Sequence, residues 1–175
     1  MSYQNPSSIT DSACYVQAGE TIITNKTDIL VSTPLGSCVA VVAYDPETKT
    51  GGMAHVMLPG KAPDNYHPDD KNKYCHNAIE YLLKKLSNFG LPPEKLEICL
   101  AGGANVLKKP NDTIARAMVS SVLHFIAKKN LNIIAAVLGG MERRTISLDT
   151  TTGIVSYTCG DNAPKVLWQY LHPKQ

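Results

Sequence analysis

The sequence predicts a layered sandwich of the α/β (α+β) class, a mixed and mostly antiparallel sheet covered by two main helices. Three observations carry that expectation. Short apolar runs bounded by Gly, Pro, Asn and Asp outnumber segments of helical periodicity. Two longer segments, 74–89 and 112–126, repeat apolar residues at helical spacing, and both fall between strands in the middle of the chain. A length of 175 residues suits one domain with a sizeable core. Residues 1–12 are polar and turn-rich and read as a flexible arm, which leaves 13–175 as a single domain.

In chain order, 20–24 and 28–32 read as short strands leading into Pro34-Leu35-Gly36. Residues 38–44 and 52–58 are apolar runs around an Asp45-Pro46 bend, a hairpin. Residues 60–73, with Pro63, Pro68 and three aspartates, read as a long mobile loop. The first helix buries Cys75, Ala78, Ile79, Leu82, Leu83 and Leu86, and Gly90 before Pro92-Pro93 stops it. A buried strand at 96–100 ends in Gly102-Gly103. That pair lacks the lysine and third glycine of a phosphate cradle. Asn111 or Asp112 caps the second helix, whose face is Ile114, Ala117, Met118, Ser121, Val122, Phe125 and Ile126. A strand at 132–138, a hairpin of 143–148 with 154–158, and a short helix over 162–171 complete the chain.

The chemistry gathers on the first hairpin. A tight turn centred on Pro46-Glu47 sets Cys38 directly opposite His55, with side chains roughly 5 Å apart on adjacent strands. A loop longer by one residue throws them onto opposite faces. A free thiol, with a pKa near ~8.5, is mostly protonated in neutral solution, and a neighbouring imidazole or imidazolium raises its thiolate fraction. The plain alternative is a small buried cysteine and a satisfied strand histidine. Gly36 permits close backbone approach just before Cys38, where the Ser37 and Cys38 amides could point at an oxyanion.

Leu-Gly-Ser-Cys-Val-Ala-Val at 35–41 and Gly-Met-Ala-His-Val-Met-Leu-Pro at 52–59 resemble the two signature blocks of the CheD family, the bacterial chemoreceptor glutamine deamidases. The separation of the blocks matches too. The likeness continues through Lys73-Tyr74, Ala78-Ile79, Gly102-Gly103-Ala104, Gly139-Gly140, Arg144 and Thr152-Gly153. It implies a layered fold, Cys38 as nucleophile, His55 as its base, and a threonine shortly before the cysteine as third member. At the matching position stands Ser32, with Thr33 beside it, and either hydroxyl could orient His55. The implied reaction converts glutamine side chains on the cytoplasmic helices of methyl-accepting chemoreceptors to glutamate and releases ammonia. The resemblance also implies a CheC-type phosphatase as partner, so a module that mainly binds this phosphatase is the second reading. A generic cysteine hydrolase or transglutaminase-like enzyme is a third.

Composition excludes other classes. A net charge of +2, from 17 basic and 15 acidic residues, without a basic run, argues against nucleic acid. No apolar stretch reaches the ~20 residues of a membrane span, and the polar start lacks a signal peptide's core, so a cytoplasmic protein without membrane insertion is expected. Five cysteines, 14, 38, 75, 99 and 159, are odd in number and lack a Cys-x-x-Cys pair, the usage of reduced thiols. Cys99 and Cys159 lie in strand-like runs and read as packing residues. His67, Asp69, Asp70, Cys75 and His76 fit no zinc spacing, and no cofactor motif is present, so neither metal nor cofactor is expected.

Overall fold

Apolar side chains occupy both faces of the 39–56 hairpin, so a sheet built on it has to be covered twice. In the computed structural model, which describes residues 13–171, it is. Strands β4 (Val39–Asp45) and β5 (Thr50–Val56) lie inside a five-stranded sheet with β2 (Thr21–Thr24), β6 (Glu97–Gly102) and β7 (Asn132–Leu138), in the order β2-β5-β4-β6-β7. A second five-stranded sheet, β1-β3-β8-β9-β10, contains β1 (Ala13–Val16), β3 (Ile29–Ser32), β8 (Arg144–Asp149), β9 (Ile154–Cys159) and β10 (Lys165–Gln169). Pairing is antiparallel except for β1 with β3 and β6 with β7.

Strand periodicity then sorts the core. Val39, Val41 and Ala43, with Ala54 and Val56, face helices α2 (Cys75–Ser87) and α3 (Thr113–Lys128). Ala40, Val42, Tyr44 and Met53 face the second sheet. The α+β class is as expected, but the strands form two stacked sheets, and the helices cover only one of them. Each fully buried leucine or isoleucine on α2, such as Ile79, Leu82 and Leu86, contributes about 1.5–3 kcal/mol by leaving water. Gly51 and Gly52 lie within β5. A Cβ at Gly51 would stand 2.7 Å from Leu148 of the second sheet, and one at Gly52 2.7 Å from Leu82 of α2. Glycine here lets both layers close on the same strand.

Other departures have physical causes. The 162–171 segment contains β10 instead of a helix, because Lys165–Gln169 pairs with β9 and packs Leu167 and Trp168 towards the inter-sheet core. Local pattern loses to non-local pairing. Helix α3 is capped by Asp112, whose carboxylate accepts from the Ile114 and Ala115 amides, but its buried face turns towards Ala115 and leaves Ile114 and Ala117 outside. The expected mobile loop after His55 contains a short helix, α1 (Pro68–Lys71). Its end is fastened, since the Lys73 carbonyl accepts from the Met57 and Leu58 amides at 3.0 and 2.9 Å. Cys99 is buried as expected, whereas Cys159 is half-exposed and its thiol donates to Glu142 at 2.8 Å. The arm assigned to residues 1–12 lies outside the described residues.

Candidate active site

The hairpin register places the two principal side chains. Asp45 pairs with Thr50, not Thr48, so the loop is two residues longer than a tight turn. The cause is local: the Asp45 carboxylate accepts from the Thr48 amide at 3.2 Å and the Thr48 hydroxyl at 2.6 Å, and Lys49 takes a left-handed φ of 54°. His55 therefore stands opposite Ala40. A shift of two preserves the face, so Cys38, two residues before Ala40, is a diagonal neighbour of His55 on the inter-sheet side. Cys38 lies just before β4, half-buried against that core, and His55 is 1 % exposed.

His55 is held from behind. Its Nδ1 donates to the Val16 carbonyl of β1 at 3.2 Å, and Thr33 Oγ1 lies 3.3 Å from the same nitrogen. The Thr33 hydroxyl also donates to Val16 O at 3.4 Å. A carbonyl can only accept, so the proton of the neutral ring sits on Nδ1 and leaves Nε2 as the acceptor. Among the described residues, Nε2 is buried without a hydrogen-bond partner. Of the two candidate hydroxyls, Thr33 is thus the one at the imidazole. Ser32 Oγ instead accepts from the Ile146 amide at 3.0 Å and fastens β3 to β8.

The loop before Cys38 is gripped by the end of β6. Gly103 N donates to the Cys38 carbonyl and Ala104 N to the Gly36 carbonyl, both at 2.8 Å. At Gly102, with φ of 119°, a Cβ would come within 2.2 Å of Cys38 O, so only glycine permits the approach. The Gly-Gly pair that resembled half a phosphate cradle serves this contact. Among the described residues the Ser37 and Cys38 amides donate to no backbone carbonyl. They are available to a developing oxyanion. Gly36 itself avoids the left-handed region, and a Cβ there would meet only Val106 at 3.7 Å.

Burial sets the resting charges. It pushes the Cys38 thiol up, against a smaller downward pull from the residue's own amide. It pushes His55 down, against the Val16 carbonyl and Glu20. Both effects favour a neutral thiol beside a neutral imidazole, against the raised thiolate fraction that the pairing of the two residues suggests. The arrangement can pass a proton from the thiol to Nε2.

Sequence reasoning did not see Val16 and gave no role to Gly103 or Arg144, which it named only in the likeness. Val16 and Gly103 act through backbone groups that no side-chain motif reveals, although Gly102-Gly103 was a visible signal of close approach. Arg144 pairs through its backbone with Leu35 and donates from its guanidinium to Gly139 O at 2.6 Å, tying the loop before Cys38 to the 139–144 turn. Among the described residues no three His, Cys, Asp or Glu side chains come together as a metal site, and no helix is long and apolar enough to cross a membrane.

The family model described as CheD chemotactic sensory transduction matches residues 57–158. A probable chemoreceptor glutamine deamidase CheD of Chlorobium luteolum is 42% identical over 152 residues, 87% of this chain and 75% of the relative. The chemoreceptor glutamine deamidase CheD of Thermotoga maritima is 33% identical over 135 residues, 77% of this chain and 84% of the relative. A probable chemoreceptor glutamine deamidase CheD of Methanococcus maripaludis is 36% identical over 132 residues, 74% and 84% of the two chains. With extensive identity to these relatives and a family match over more than half its length, the chain belongs to the CheD family.

Proposed function

We propose that this protein hydrolyses the side-chain amide of selected glutamines in chemoreceptors, releasing ammonia and leaving glutamate, with Cys38 as nucleophile. The observation that carries the reading is His55: buried, protonated at Nδ1 towards Val16 and Thr33, and open at Nε2 on the face of Cys38. The names of the relatives supply the substrate class.

The steps balance within these groups. As the amide carbon comes onto Cys38, the thiol proton passes to His55 Nε2 and the sulfur forms the C–S bond. The amide oxygen takes the negative charge and accepts from the Ser37 and Cys38 amides. On collapse the C–N bond breaks, and the imidazolium returns its proton to the departing nitrogen as ammonia. Water then attacks the thioester, giving one proton to Nε2. The C–S bond breaks, the imidazolium gives that proton to the departing sulfur, and the Cys38 thiol is restored. Thr33 orients the ring throughout, and Ser32 has no part in the chemistry.

The new carboxylate places a negative charge on the receptor, which alters its electrostatics and hence its signalling equilibrium. The receptor glutamines face the cytoplasm in this reading, and a CheC-type phosphatase is the further protein partner it implies. The test is mass spectrometry of a receptor cytoplasmic fragment before and after incubation. Each converted glutamine adds about 1 Da, the exchange of an amide nitrogen for a hydroxyl. No mass gain on any receptor fragment, with Cys38 intact, refutes the reading and favours the binding module.

A further inference from the structure

We propose that the receptor segment bearing the target glutamine docks in the groove between the first half of α3 and the 105–109 and 139–141 turns, with apolar side chains in the groove and a carboxylate against Lys108, Lys109 and Arg116. This rests on the deamidase reading and adds where and how the substrate is held.

Position is the first argument. Strands β6 and β7 are parallel and joined through α3, and the carboxyl ends of such a pair open a crevice. A cavity of about 710 Å³ lies there, walled by Val119 and Leu123 of α3 and by Gly103, Gly139 and Met141. Its floor is bonded to the nucleophile loop, because Gly103 N donates to Cys38 O. A smaller cavity of about 160 Å³ shares Asn105, Lys109 and Asp112 with it and reaches Gly36 and Ser37. The two make one path from α3 to the residues that precede Cys38.

Surface chemistry is the second argument. The rim exposes Leu107 at 76 %, Met141 at 58 % and Ile114 at 56 %. Large apolar side chains gathered beside a site mark a surface that something covers. Ile114 has the spacing of a core residue, yet α3 turns it outwards towards this path. The charge is net positive, three cations against the carboxylate of Asp112. Lys108, Lys109 and Arg116 form no ion pair among the described residues, and the carboxylate of Asp112 is engaged in capping α3. An occupant with apolar and acidic side chains complements both features. By contrast the 61–73 loop neutralises itself through Lys73 with Asp70 at 2.5 Å and Lys61 with Asp64 at 3.7 Å.

The test measures binding and turnover separately. A labelled receptor cytoplasmic fragment is titrated, by fluorescence anisotropy, into chains carrying Cys38→Ala, with and without Lys109→Glu/Arg116→Glu or Leu107→Asp. These sites are exposed, and thermal melts verify that the variants fold. Each groove variant should weaken binding about tenfold or more, and the charge reversal should flatten its salt dependence. In the active chain the same changes should raise KM while kcat and the alkylation of Cys38 hold. Unchanged binding overturns the proposal, as does a fall in Cys38 alkylation, which would make the groove a structural support. Concentration-dependent mass that disappears in the groove variants would assign the surface to a second copy and also overturn it. A fragment bound through the groove but not deamidated refutes the deamidase reading and supports the docking. A fragment deamidated with unaltered KM does the reverse.

Discussion

The two ends of the inter-sheet layer draw on the same strands and the same face, yet they differ in how far their polar groups are paired: at the hairpin end one buried side-chain atom, Glu97 Oε2 opposite Tyr44, lacks a partner among the described residues. At the hairpin end, Tyr44 donates to the Thr150 carbonyl at 2.9 Å, and Thr150 Oγ1 lies 2.6 Å from Lys26 O and accepts from Asp28 N. Burial, aided by Asp149 and Asp45, pushes the Tyr44 phenol up to about 12, so it remains a donor. At the other end, His55 Nε2 and Arg144 Nε are buried without partners among the described residues, and the amides of Ser37 and Cys38 are free of backbone acceptors. Burying a polar group without a partner costs about 1–3 kcal/mol. The end that holds Cys38 carries more of these open groups, and a ligand bound there could pair with them.

The largest test removes the sulfur. Cys38→Ala should bring ammonia release below detection in a coupled assay while the melting temperature holds, since one small side chain replaces another. Turnover that survives would detach the open end from catalysis. His55→Gln keeps a polar side chain but loses the acid–base group, and kcat should fall by about 10²–10⁴.

A finer test separates neighbours. Thr33→Val removes the hydroxyl at the imidazole and should slow turnover about tenfold with little change in stability, because an orienting group contributes less than the nucleophile. Ser32→Ala orphans the Ile146 amide and should instead cost about 1–2 kcal/mol in chemical denaturation with turnover near normal. Tyr44→Phe, at the hairpin end, should behave like Ser32→Ala. If Tyr44→Phe lowered kcat, or Ser32→Ala slowed turnover more than Thr33→Val, the division between the two ends would collapse.

Parity explains what was legible from sequence. Cys38 and His55 share a face under any even shift of register, so their common side survived a loop two residues longer than a tight turn. Helix α2 was legible because its stripe from Cys75 to Leu86 is packed as a stripe. What depended on distant pairing was not. The parallel partnership of β1 with β3 brings Val16 O to His55, and the partnership of β10 with β9 overrides the local pattern of 162–171. The choice between Ser32 and Thr33 turned on the same point, since adjacent strand residues face opposite ways and only the neighbour β8 decides which hydroxyl is consumed.

The smallest effect is in the pH dependence, and its sign follows from burial. His55 is pushed below its ordinary value, so as pH falls through about 6.5 the unfolded chain takes a proton that the folded chain refuses. Stability is therefore lost towards acid. His76 is lowered as well, by burial and then Lys128, so only the difference between the parent and His55→Gln isolates the open end. On the alkaline side the thiols run the other way. Cys38 is raised by burial, as are Cys75 and Cys99, the last to about 12. The folded chain keeps protons that the unfolded chain releases above about 8.5, and stability falls as pH rises. For the free protein, iodoacetamide should alkylate Cys38 slowly at neutrality, with a rate that climbs through an apparent pKa above about 8.5. Should the rate instead level off below that value, the resting site would already hold a thiolate beside an imidazolium. The charge of His55 would then outweigh the burial that distinguishes this end of the layer.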